Sequence, residues 1–274
     1  MIITFLLIAL FTFDNIHARR VNVDINLDNL ILAGKIITID PGHGGIDPGA
    51  MWRDIGEKDI NLEISLKLKQ ELQNNGAIVF LTRSQDEDFS SEWDPNRKRG
   101  DLWRRILKIQ ENNSDIYLSI HLNSYPGNTE SGAEVLYHPI HDNNVILGEA
   151  MIESFRKDYR DTRNLLRTDL YLFRNIARVP GVLIECGFLS TSYDRELLQT
   201  EEFQLRLAKT ITRGVINYFK KIAQEVEWNC NLDKNCWYYN IAKAYVDSLL
   251  GVVSLLVLFK FNRKSRIGLY LLLP

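Results

Sequence analysis

The chain predicts an α/β fold, a mainly parallel twisted sheet flanked by helices on both faces. Short apolar runs at residues 36–39, 116–120 and 182–184 read as buried strands. Stretches with helical periodicity lie between them, the alternation that implies a parallel sheet. Each run also ends in groups unsuited to a core. Asp40-Pro41-Gly42-His43-Gly44-Gly45 follows the first, His121 the second and Glu185 the third. Open α/β sheets collect ligands beyond the carboxyl ends of their parallel strands. Residues far apart in sequence are therefore expected to meet at one edge.

In chain order, residues 1–30 read as a targeting segment and linker. The apolar run 1–13 falls short of the about 20 residues that span a bilayer. It has the length of a signal-peptide core, although no basic residues precede it and Ile16-His17-Ala18 is a weak cleavage site. Export to the extracellular, periplasmic or cell-wall side is expected, with membrane attachment through this segment where it is retained. Residues 35–40 form the first strand. A helix over 58–74 follows, with Leu62, Ile64, Leu66, Leu68 and Leu72 on its buried side and Asn74-Asn75-Gly76 as its stop. Residues 77–82 form the next strand, and the acidic stretch 84–96 is a loop. A helix over 97–112 leads into the strand that reaches His121. Residues 133–137 are a short strand, 145–159 a helix, 171–173 an extended piece and 181–185 a strand. The last core helix covers 201–219. These bounds give a core domain over 31–222 and a C-terminal extension over 223–274 with no readable role.

The chain has 274 residues, 45% hydrophobic and 25% charged, the composition of a soluble globular protein with one main domain. A net charge of -2 argues against a nucleic-acid partner. The basic clusters Arg97-Lys98-Arg99 and Arg104-Arg105 read as a solvated helix face. Of the three cysteines, Cys186 sits in an apolar strand, whereas Cys230 and Cys236 are spaced for a small disulfide loop or for two free thiols.

The polar groups at the strand ends carry the chemistry. His43 stands in a glycine-rich loop that is poor in side chains, badly placed for core packing and open to a bulky substrate. Asp40, just before that loop, is placed to orient an imidazole or to cap and brace the loop. Glu57 opens a helix, where an acid also complements the helix dipole. His121 closes the middle strand beside Asn123. Glu185 ends an apolar strand, where a carboxylate is costly unless paired or functional. Two His and one Glu, with a second Glu nearby, are the inventory of a hydrolytic zinc site. His138 and His141 read as surface residues in a polar loop. No Gly-x-Ser-x-Gly elbow supports a serine esterase.

Four segments together, Ile39–Gly45, Glu57-Lys58-Asp59, Ser119–Asn123 and Glu185–Ser190, resemble the zinc-dependent N-acetylmuramoyl-L-alanine amidases of the amidase-3 family. The CwlD-like, spore-cortex subtype is the most similar. The resemblance runs from about residue 34 to 219, in the right order. It implies one Zn2+ held by His43, Glu57 and His121, with Glu185 as catalytic acid/base. It implies peptidoglycan as substrate, cut between the lactyl group of muramic acid and L-alanine. It also raises an activator protein as a partner. Arg83 and Arg105 match recurrent family arginines, for bracing or for substrate contact, and Asn123 lies within the third motif. Cys186 is a small apolar departure, and Gln110 stands where the family often has Asn. The alternative is a zinc carboxypeptidase acting on wall peptides.

Overall fold

The computed structural model describes residues 31–232 except 126, 128, 129, 160 and 161. The expected export segment, the tail from 233 onward and a Cys230–Cys236 pair fall outside these residues. No described helix is long and apolar enough to cross a membrane.

The elements in order are β1 (Ile36–Pro41), β2 (Met51–Trp52), β3 (Ile55–Gly56), α1 (Glu57–Asn74), β4 (Ile78–Leu81) and α2 (Arg97–Glu111). Then come β5 (Ile116–Asn123), β6 (Glu134–Tyr137), α3 (Asn143–Asp158), β7 (Leu165–Arg167) and α4 (Tyr171–Arg174). The last are β8 (Gly181–Phe188), α5 (Ser192–Leu198) and α6 (Glu201–Leu232). Six strands form one sheet in the order β4-β1-β5-β8-β6-β7. All neighbours run parallel except β6 and β8. The mainly parallel α/β architecture is thus the one the sequence implies.

Strand alternation sorts the side chains between two cores. Ile37 and Ile39 of β1, Leu118 and Ile120 of β5, and Val182 and Ile184 of β8 enter the larger core, shared with α1, α3 and α6. Tyr117 and Leu183 enter the smaller one, with Ile106 and Ile109 of α2 and Leu172 and Phe173 of α4. By the same period of two, Asp40, Ser119, His121 and Glu185 project on the smaller-core side. The parallel register sets His121 beside Glu185, and β6 sets Glu134 on the other side of Glu185.

Several details differ from the sequence reading. Residues 171–173 are not extended but belong to a single helical turn, Tyr171–Arg174. A turn can bury the consecutive residues Leu172 and Phe173 together, whereas a strand would point one of them outward. Leu66, expected on the buried face of α1, is exposed, because Ile60, Ile64, Leu68 and Leu72 form the inward stripe. The β2–β3 hairpin, β7 and α5 carry too few residues to show a period. α6 runs on to Leu232, past the expected end at 219.

Candidate metal centre

The loop after β1 and the first turn of α1 build the site. His43 has φ of 60°, a left-handed conformation that a side-chain-bearing residue adopts at a cost and that clusters at functional sites. The strain is held by a two-way backbone link, Gly44 N to Asp47 O at 2.9 Å and Asp47 N to Gly44 O at 3.0 Å. That turn brings the Asp47 carboxylate to 2.9 Å from His43 Nδ1. Glu57 is fixed through its own backbone N–H, which donates to Ala50 O at 2.9 Å, and through Ala50 N, which donates to Glu57 Oε2 at 2.8 Å.

From there the three side chains converge. His43 Nε2 lies 3.2 Å and His121 Nδ1 3.0 Å from Glu57 Oε1. The two imidazoles meet edge to face, with centroids 4.9 Å apart. One ligand atom from each of His43, Glu57 and His121 falls within 4.8 Å of the others. Two nitrogens and an oxygen on one small locus are the donor set of a divalent metal with an open position. The surrounding backbone leaves room only for these side chains. A Cβ on Gly42 would run into the His121 ring, and one on Gly49, where φ is +69°, would sit 2.6 Å from Glu57 Oε2.

The electrostatics keep Glu57 ionised, as a ligand carboxylate must be. Burial pushes the Glu57 carboxyl up, but hydrogen bonds from His121 and His43 outweigh it and hold the group well below the usual carboxylate range. Burial pushes the His43 imidazole down, and the Glu57 and Asp47 carboxylates more than reverse that. Glu185 behaves in the opposite way. Burial, added to the charges of Glu57 and Glu134, raises its carboxyl to about 8. Its Oε2 has no hydrogen-bond partner. It faces a cleft that it shares with His43 and His121.

The other sequence candidates take supporting places. Asp40 accepts hydrogen bonds from Thr82 Oγ1 (2.6 Å), Ser119 Oγ (2.9 Å) and Arg105 Nη1 (2.8 Å), so the imidazole partner is Asp47 and not Asp40. Arg105 is buried and also reaches Asp101, Pro41 O and His43 O. Arg83, likewise buried, donates to the carbonyls of Pro41, Gly42, Gln85 and Lys58. Both arginines brace the His43 loop from below. Asn123 donates to Glu134 Oε2 at 3.2 Å, on the β6 side of Glu185. His138 and His141 stay outside the cluster. Asp47 escaped the sequence reading, since its partnership depends on a turn that no local pattern announces.

Two expected results test this framework. Asp47→Asn lowers metal affinity about 10- to 100-fold, the usual effect of losing an imidazole's orienting carboxylate. Competition against a chromophoric chelator measures it, and unchanged affinity contradicts the role. Arg105→Met leaves Asp40 and Asp101 without their buried partner and destabilises the fold by about 3–5 kcal/mol in chemical denaturation. Burial raises the Asp40 carboxyl, but the Arg105 charge and the Thr82 hydrogen bond outweigh it and hold the group below the usual carboxylate range. For a carboxyl lowered in the folded state, the stability is complete above the unfolded value and disappears as acid titrates the folded one. This contribution is therefore intact at neutral pH and is lost only in acid below that value.

Known proteins resemble this chain in sequence and fold. The family model for N-acetylmuramoyl-L-alanine amidase, Amidase_3, matches residues 37–217. The germination-specific N-acetylmuramoyl-L-alanine amidase of Bacillus subtilis is 36% identical over 196 residues, covering 70% of this chain and 82% of that protein. The structure of the CwlD amidase from Clostridioides difficile in complex with the GerS lipoprotein aligns with a TM-score of 0.65 at 34% identity, over 68% of this chain and 99% of that one. The catalytic domain of CwlV, an amidase from Bacillus (Paenibacillus) polymyxa, aligns with a TM-score of 0.59 at 28% identity, over 68% and 98%. The chain is thus a hydrolase that belongs to the amidase-3 family of N-acetylmuramoyl-L-alanine amidases.

Proposed function

We propose that this amidase carries a single zinc ion on His43, Glu57 and His121 and uses Glu185 to move protons. It cuts the amide between the lactyl group of muramic acid and L-alanine of the stem peptide. The observation that carries the reading is the placement of Glu185. It lies in register with the ligand His121, open to the same cleft, with one carboxylate oxygen free of any protein partner. Zinc, when bound, supplies a Lewis acid that polarises the amide carbonyl and lowers the pKa of water.

The chain's own residues account for the remainder. Glu185 accepts the proton of the attacking water as oxygen adds to the carbonyl carbon. It then delivers that proton to the nitrogen of L-alanine as the carbon–nitrogen bond breaks. A buried site between two other carboxylates raises its proton affinity, which suits a group that must hold the proton between the two steps. Asp47 holds the His43 imidazole, and Arg83 and Arg105 fix the loop carbonyls, so little reorganisation accompanies turnover.

The same reading assigns the catalytic unit to residues 31–222, a leader or anchor to 1–30 and an appended extension to 223–274. Action on the exported, cell-wall side and in spore-cortex remodelling follows from the similarity to a germination-specific amidase. A lipoprotein is a candidate partner and activator, since the similar CwlD amidase is found in complex with a lipoprotein. The test is digestion of peptidoglycan with the full chain, with and without a chelator, followed by mass spectrometry. The expected products are peptide-free glycans and stem peptides with a new L-alanine amino terminus, formed only without chelator. Shortened stem peptides still attached to sugar would point to the carboxypeptidase reading instead.

A further inference from the structure

The catalytic cleft has a second wall that the chemistry above does not use. It is a pocket of about 280 Å³ that runs from His43, His121 and Glu185 to α2 and α4. Leu102, Leu170, Tyr171 and Phe173 give it an apolar surface, with Leu170 44% exposed. The Ser119 hydroxyl at its floor is committed to Asp40. These apolar side chains suit the small side chains of a short peptide.

Two cations line this pocket. Arg105 is buried, and its nitrogens are all engaged with Asp101, Asp40 and the carbonyls of Pro41 and His43. Lys98 differs. Its side chain is 68% exposed, and its nearest carboxylate, Asp47, is 3.6 Å away, beyond hydrogen-bond length. It stands in the first turn of α2, where the helix dipole adds positive potential. The pocket also holds Asp40, Asp47, Asp101 and Glu185, which would repel an incoming acid. A carboxylate can approach only where a cation offsets them.

We propose that Lys98 binds a free carboxylate on the residue that follows L-alanine. The α2/α4 wall is then the stem-peptide side of the cleft, and Lys98 sets a preference for acidic over amidated stems. The proposal rests on the amidase reading and adds a substrate preference to it. It makes Lys98 a specificity residue, with no part in proton transfer.

The test uses two peptidoglycan preparations that differ only in whether the second stem residue carries a carboxylate or its amide. Full-length wild type and Lys98→Met, matched for metal content, are compared by the rate at which new L-alanine amino termini appear. Wild type is expected to favour the acid form about twofold to fivefold, the size of a partly exposed ion pair. Added salt should reduce that preference. In Lys98→Met the ratio should fall to about one, through loss of the acid-form rate. If wild type cuts both forms equally, or if Lys98→Met slows both by one factor, the proposal is overturned; the latter result would mean that Lys98 acts through Asp47. If wild type cuts neither form even with the candidate lipoprotein partner added, the amidase reading itself has failed, and the proposal with it.

Discussion

Glu185→Gln lowers kcat/KM on peptidoglycan by about 10²- to 10⁴-fold, the range contributed by a positioned general acid/base. Glutamine keeps the shape and can still donate a hydrogen bond, but it cannot take a proton from water. Glu185 is not one of the three converging ligand residues, so metal content should stay at the wild-type level. Removing a carboxylate flanked by Glu57 and Glu134 also relieves repulsion. The variant should therefore be as stable as wild type or more so in thermal unfolding. Full activity with metal bound would sink the proposed role. Lost activity together with lost metal would make Glu185 a ligand.

His121→Ala has the second large effect, and chelation should reproduce it. Both should reduce turnover by at least about 10³-fold, since a Lewis acid supplies several kcal/mol of transition-state stabilisation. The same experiment has a readout independent of catalysis. Zinc that binds only the folded chain stabilises it by about 2.7 kcal/mol at a hundredfold excess over Kd. Wild-type Tm should rise on adding zinc, and the Tm of His121→Ala should not. The variant also leaves Glu57 Oε1 with one imidazole fewer, so a lower metal-free stability is expected as well. A zinc-dependent Tm in His121→Ala equal to that of wild type would exclude His121 from the site.

Much of this arrangement is written locally. His43, His121 and Glu185 each follow an apolar run, and Glu57 opens a helix behind a glycine-rich loop. Strand alternation then suffices to put His121 and Glu185 on one face once their strands pair in parallel. Arg83 and Arg105 were visible as positions but not as actions. Their partners are backbone carbonyls and Asp40, which lie 41 to 65 residues away from them for the loop contacts. A carbonyl has no sequence signature. The turn Tyr171–Arg174 departs from an extended piece for a related reason, since four residues show no helical period and its form follows from the Tyr117 ring and the isoleucines and leucines it packs beside.

By itself, then, the sequence determined the α/β class, the order of the elements and the four residues that close on the site. Hydrophobic period and strand-end polarity are properties of a few neighbouring residues, and they survive without knowledge of the fold. Tertiary structure decided the rest. It gave Asp47 rather than Asp40 to His43, turned β6 against β8 so that Glu134 flanks Glu185, and put Lys98 on the rim of the cleft. Those outcomes depend on distances between segments far apart in the chain, which are set when the two cores pack and not before.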